Sequence, residues 1–83
     1  MKQYKIVISK RALRFIEIQP KKRQIQLFAA IYKLPHEGDT KQLANRPGVY
    51  RLRVGTYRVI YTIHENILTV EVLNAGNRGD VYK

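Results

Sequence analysis

The stretch YRLRVGTYRVIY, residues 50–61, decides the fold. It reads as two strands joined by a tight turn. Successive strand residues point to opposite faces. Tyr50, Leu52 and Val54 therefore share one face, and Arg51 and Arg53 share the other. Gly55-Thr56 fits a two-residue loop of type II′, in which glycine supplies the positive φ. That loop pairs Val54 with Tyr57, Arg53 with Arg58, Leu52 with Val59, Arg51 with Ile60 and Tyr50 with Tyr61. One face becomes apolar and aromatic, fit for a core. The other sets Arg53 directly across from Arg58, and like charges opposed in a sheet are destabilising. A bound anion relieves that repulsion, and the planar guanidinium fork suits phosphate.

Working outward, Tyr4 to Ile8 reads as a short strand with Tyr4, Ile6 and Ile8 on one face. Ser9 is the expected N-cap of a helix from Lys10 to about Ile18. Leu13 and Ile16 lie at helical spacing, flanked by Ala12 and Phe15. Gln19-Pro20 ends that helix, because the residue before proline avoids the α region. Pro20 can open the next helix at its first position. That second helix runs from Lys21 to about Leu34. Its apolar stripe is read as Ile25, Phe28 and Tyr32, widened by Leu27, Ile31 and Leu34. Residues 35–48 read as irregular, with Leu43 as an anchor.

A third strand of the meander follows from Ile67 to about Leu73. With residues 64–67 as a four-residue loop, Ile63 pairs with Leu68, Tyr61 with Val70 and Val59 with Val72. Thr69 and Glu71 then fall on the arginine face, with Glu71 diagonal to Arg58. Asn74, Gly76, Asn77 and Gly79 read as a turning segment. The expected architecture is α+β, a single domain over residues 1–83. An N-terminal strand and two antiparallel helices precede a three-stranded antiparallel meander. The helices cover one face of a single antiparallel sheet, and the other face is open and basic.

Composition narrows the function. Sixteen basic and six acidic residues give a formal net charge of +10 in an 83-residue chain. That imbalance points to a polyanionic partner and suits an acidic protein partner as well. With no cysteine there is neither a disulfide framework nor a thiolate zinc site. No apolar run approaches a membrane span, and the first residues lack a secretory h-region. The expectation is a soluble cytoplasmic protein with no membrane partner.

Most enzyme constellations are missing. Ser9 is the only serine and reads as a cap. His36 and His64 sit in separate expected loops. Asp39 and Asp80 make no convincing metal cluster, and no phosphate-binding glycine motif is present. No cofactor is expected. What remains is arginine and tyrosine. Arg51, Arg53, Arg58 and Arg78 can hold a phosphodiester and stabilise the charge that builds on it. Such a set supports RNA transesterification without a metal, because the substrate's 2′-hydroxyl is the nucleophile. Tyr82 offers a phenol for proton transfer or a ring for base stacking. On chemistry alone, simple RNA binding outranks cleavage.

The order of elements, the segment RPGVYRLRVGTYRVIYTI and the ending NRGDVYK resemble the RelE/ParE superfamily of bacterial toxin–antitoxin toxins. The resemblance covers almost the whole chain. Its RelE branch consists of ribosome-dependent mRNA endonucleases that cut in the A site; its ParE branch poisons DNA gyrase. The match favours RelE. Arg51 and Arg53 occupy the places of two catalytic lysines, and Arg58 matches the arginine after the glycine turn. Arg78 matches the arginine of the C-terminal glycine-containing turn, and Tyr82 the tyrosine of the final VY.

The resemblance implies that Arg58 grips the scissile phosphate. Arg78 steadies the transition state or protonates the leaving 5′-oxygen. Tyr82 stacks on or orients the nucleotide, or acts as base. Arginine at both lysine positions is a departure: it keeps the charge, but arginine stays protonated in proteins and is a poor general base. The implied partners are mRNA, the ribosome and an acidic cognate antitoxin. The toxin is then a monomer or part of a toxin–antitoxin hetero-oligomer. A gyrase inhibitor without nuclease activity and an inactive RNA-binding relic are the alternatives.

Overall fold

The structure, a computed structural model, describes residues 3–77. The elements are β1 (Lys5–Ile8), α1 (Lys10–Glu17), α2 (Lys21–Ile31), β2 (Asp39–Gln42), β3 (Val49–Val54), β4 (Tyr57–His64) and β5 (Thr69–Asn77), with a 3₁₀ turn at Glu65–Ile67. The strands form one sheet in the order β1-β5-β4-β3-β2. This is the expected α+β class: an N-terminal strand, two helices, then a meander.

The β3–β4 hairpin has the register read from the sequence, from Val54 opposite Tyr57 to Tyr50 opposite Tyr61. Gly55 has φ +60°, while Thr56 stays at negative φ. Positive φ at the first loop position alone is the type II′ pattern. Ser9 caps α1 as expected: its Oγ accepts from the Ala12 amide at 3.1 Å. The same hydroxyl donates to the Leu73 carbonyl at 2.8 Å, which ties the helix start to β5.

The core lies between the helices and one sheet face. Ala12, Ile16, Leu27, Ile31 and Leu34 meet Leu52, Val54, Val59, Tyr61, Val70, Val72 and Ala75. Tyr50 and Tyr61 stack there, with ring centroids 5.6 Å apart. No helix among the described residues is long and apolar enough to cross a membrane.

Several expectations need correction. The sheet is not wholly antiparallel: β1 runs parallel to β5, Lys5 opposite Thr69 through Ile8 opposite Val72. β5 therefore lies inside the sheet, between β1 and β4. Residues 39–42, read as irregular, form an edge strand antiparallel to β3. Pro20 is the N-cap of α2, not its first residue, and the helix ends at Ile31 rather than Leu34. The buried residues of α2 are Leu27 and Ile31, with Leu34 buried just beyond its end, whereas Ile25 and Tyr32 are more than half exposed.

The β4–β5 register is displaced by two residues, so that Ile63 pairs with Val70 and Tyr61 with Val72. An even displacement preserves the faces. A bulge then follows: Tyr61 opposes Val72 but Ile60 opposes Asn74, and Leu73 is the extra residue. Asn74 to Asn77 are therefore strand, not turn. The bulge reverses the alternation, sending Ala75 to the core and Asn74 and Gly76 to the arginine face.

Candidate functional site

The arginines lie on the sheet face turned away from the helices. Arg51 and Arg53 are two residues apart on β3 and share that face. Arg58 on β4 lies directly opposite Arg53. The sequence thus places these three correctly. Arg78 and Tyr82 lie outside the described residues.

The face is less open than the sequence implies. Ile60, between the arginine positions, is only 1% exposed, and Arg51 is only 8% exposed. The Arg51 Nη1 is buried and has no hydrogen-bond partner. Leaving a buried donor unsatisfied costs about 1–3 kcal/mol, and more when it is charged. Arg53 is half exposed at its side chain. Arg58 is intermediate, and its Nη1 donates to the Tyr57 carbonyl at 3.2 Å. A gradient results, from a buried cation to a half-exposed one.

The edge strand adds groups that sequence reasoning missed. Asp39 lies opposite Arg53, and Lys41 opposite Arg51, so both join the arginine face. The Asp39 carboxylate sits 4.0 Å from Arg51 Nη1 and 4.0 Å from Arg53 Nε. These are loose ion pairs, beyond hydrogen-bond length. Asp39, Arg53, Arg58 and Gly76 form one row across four strands. On the other side of β2, Thr40 lies opposite Leu52. Burial raises the Tyr61 phenol above its ordinary value, and the Thr40 hydrogen bond partly opposes this.

Glu71 does not orient Arg58. It lies opposite Thr62 and pairs with His64, Nε2 to Oε1 at 3.0 Å. His36, read as a surface loop residue, packs its ring edge-on against Tyr4, with centroids 5.6 Å apart.

Chemically, the face offers guanidinium donors at graded burial, a lysine and one carboxylate. Such a set binds an anion and stabilises added negative charge.

The sequence comparisons agree with this frame. Residues 6–82 match the family model described as the ParE toxin of the type II toxin–antitoxin system, parDE. No curated protein matches the chain. Among solved structures, the toxin–antitoxin complex RelBE2 from Mycobacterium tuberculosis is similar at 27% identity and TM-score 0.80, covering 96% of this chain and 97% of that one. The archaeal RelE–RelB complex from Pyrococcus horikoshii is similar at 23% identity and TM-score 0.75, with 96% and 100% covered. The isolated RelE toxin of E. coli shares the fold at 20% identity and TM-score 0.72, with 90% and 84% covered. The family match spans nearly the whole chain, and the fold is that of the RelE toxins. The chain therefore belongs to the ParE toxin family of type II toxin–antitoxin systems, within the RelE/ParE superfamily.

Proposed function

We propose that this toxin is a RelE-type mRNA interferase. It cleaves mRNA in the ribosomal A site by metal-independent attack of the 2′-hydroxyl on the adjacent phosphorus, and so stops translation. The observation that carries this reading is Arg51: a buried guanidinium nitrogen with no hydrogen-bond partner, on the same face as Arg53 and Arg58. A buried guanidinium nitrogen held only by a loose ion pair, 4.0 Å from its carboxylate, gains by receiving an anion there. The three arginines grip the phosphodiester and stabilise the charge that grows on its equatorial oxygens. Arg78 and Tyr82 complete the proposed set, with Arg78 at the leaving oxygen and Tyr82 on the base.

An acidic cognate antitoxin is the natural inhibitor. Its charge complements the +10 of this chain, and similar solved structures are toxin–antitoxin complexes. The site of action is the cytoplasm, where the ribosomes are.

The test is a pulse of expression in a bacterial host. Wild type should arrest growth, and Arg58→Ala should not, while circular dichroism shows the variant folded. A folded Arg51→Ala/Arg58→Ala double variant that remains fully toxic overturns the reading.

A second reading is inhibition of DNA gyrase without nuclease activity. It is favoured by the family model itself, which is that of the ParE toxins. It expects DNA breaks and a DNA-damage response in arrested cells, with mRNA intact.

A further inference from the structure

The RNA-cleavage reading leaves one role open. Something must take the proton from the 2′-hydroxyl, and arginine cannot. On the described part of the arginine face, the charged side chains nearest this centre are Lys41 and Asp39 on β2, Arg51 and Arg53 on β3, and Arg58 on β4. His64 and Glu71 lie farther along the sheet and are bound to each other. Asp39 is thus the carboxylate of the group.

Resting on that reading, we infer that Asp39 is the general base: it accepts the 2′-hydroxyl proton of the RNA whose phosphate Arg51 and its neighbours hold.

Two features of the Asp39–Arg51 contact support this. The first is that the Asp39 carboxylate is available. Its ion pairs are both 4.0 Å long, its side chain is 60% exposed, and it accepts no hydrogen bond among the described residues. The second is the unpartnered, buried Nη1 of Arg51, 4.0 Å from an Asp39 oxygen. The Arg51 donor and the Asp39 acceptor thus stand side by side in a loose ion pair, 4.0 Å apart and beyond hydrogen-bond length. A ligand that fits must accept at one point and donate at an adjacent one. A phosphate oxygen next to a ribose 2′-hydroxyl does both. DNA supplies the phosphate but not the donor.

The row Asp39–Arg53–Arg58 sets the direction of the substrate. Strands lie about 4.8 Å apart, so Asp39 and Arg58 stand roughly 10 Å apart at the backbone. Arg53 lies between them. The ribose then sits toward the sheet edge and the phosphate toward the centre.

The step balances without an outside reagent. Asp39 takes the 2′-hydroxyl proton as the 2′-oxygen bonds to phosphorus. The bond from phosphorus to the 5′-oxygen breaks. The leaving 5′-oxygen takes a proton from an acid or from water, and Asp39 returns its own to solvent. The products are a 2′,3′-cyclic phosphate and a 5′-hydroxyl.

The experiment uses the full chain on programmed ribosomes, with single-turnover cleavage of the A-site codon. It compares wild type with D39N, D39S and D39E. Binding is measured separately on complexes carrying a 2′-O-methyl A-site codon, which cannot be cleaved. D39N and D39S should cleave at least about a hundredfold more slowly, the scale of a lost general base. The acidic limb of their pH–rate profile should vanish, and D39E should recover part of the rate. Their binding should be unchanged or tighter, because a negative charge has left an anion-binding face.

D39N and D39S cleaving within about threefold of wild type, with the same pH profile, overturns the assignment. So does a loss of binding that matches the loss of rate, since Asp39 would then only position the arginines. A wild type that arrests growth but leaves the codon uncut overturns the RNA-cleavage reading itself, and this assignment with it.

Discussion

Replacing Arg51 by methionine should make the protein more stable and harmless. Its buried Nη1 has no hydrogen-bond partner, and such a group costs about 1–3 kcal/mol in desolvation. Its nearest anion, Asp39, is 4.0 Å away and 60% exposed. A pair that exposed contributes about 0–1 kcal/mol, and removing the arginine leaves no buried anion behind. Methionine keeps most of the stem that packs beside Ile60. The net gain is about 1–2 kcal/mol. In a domain of this size that raises Tm by roughly 4–16 °C. Urea unfolding should show a higher midpoint with an unchanged slope, and expression of the variant should not arrest growth. A variant less stable than wild type by about 1 kcal/mol or more refutes the reasoning. Arg51 would then be a structural strut, and its burial would say nothing about a ligand.

Other consequences follow from the same geometry. Ser9→Ala should lose about 1–3 kcal/mol in urea unfolding, because one hydroxyl both caps α1 and bonds the Leu73 carbonyl. Gly38→Ala should destabilise by about 1–3 kcal/mol: Gly38 has φ +123°, and a Cβ there would stand 2.8 Å from Leu52 Cδ1. Arg53→Ala, exposed and opposed to Arg58, should change stability by no more than about 0.5 kcal/mol. It should lower the salt slope of single-stranded RNA binding by about 0.7, one phosphate contact.

Tyr61 supplies a pH test. Burial raises its phenol in the folded state, so its contribution to stability is complete below about pH 10 and is lost as pH climbs through the raised value. Tyr61→Phe should therefore narrow its stability gap to wild type in alkaline urea titrations, and a gap constant to pH 11 would contradict this.

The sequence makes the hairpin legible because glycine chemistry and strict alternation agree there. The loop type fixes the register, and the register places Arg51, Arg53 and Arg58 together. β2 is not legible for the opposite reason. Asp39-Thr40-Lys41-Gln42 has no apolar alternation, and all four residues are exposed. Missing β2 hid Asp39 and Lys41. The bulge at Leu73 depends on pairing between distant segments, so the asparagines and glycine beyond it look like turn residues. In α2, two adjacent stripes are both apolar. A single helix cannot tell whether Ile25 and Tyr32 or Leu27 and Ile31 face the sheet, and packing against β3–β5 selects the second.

The parallel pairing of β1 with β5 is likewise a tertiary choice. It is fixed where the Ser9 amide donates to the Val72 carbonyl at 2.9 Å.

The proposed activity is cleavage of mRNA by the arginine face. Primer extension on cellular mRNA, after a brief pulse of expression, tests it most directly when wild type is compared with Arg58→Ala. New 5′ ends inside translated codons, present with wild type and absent with the variant, are the predicted result. Growth arrest by wild type with no new ends in any translated message would contradict it.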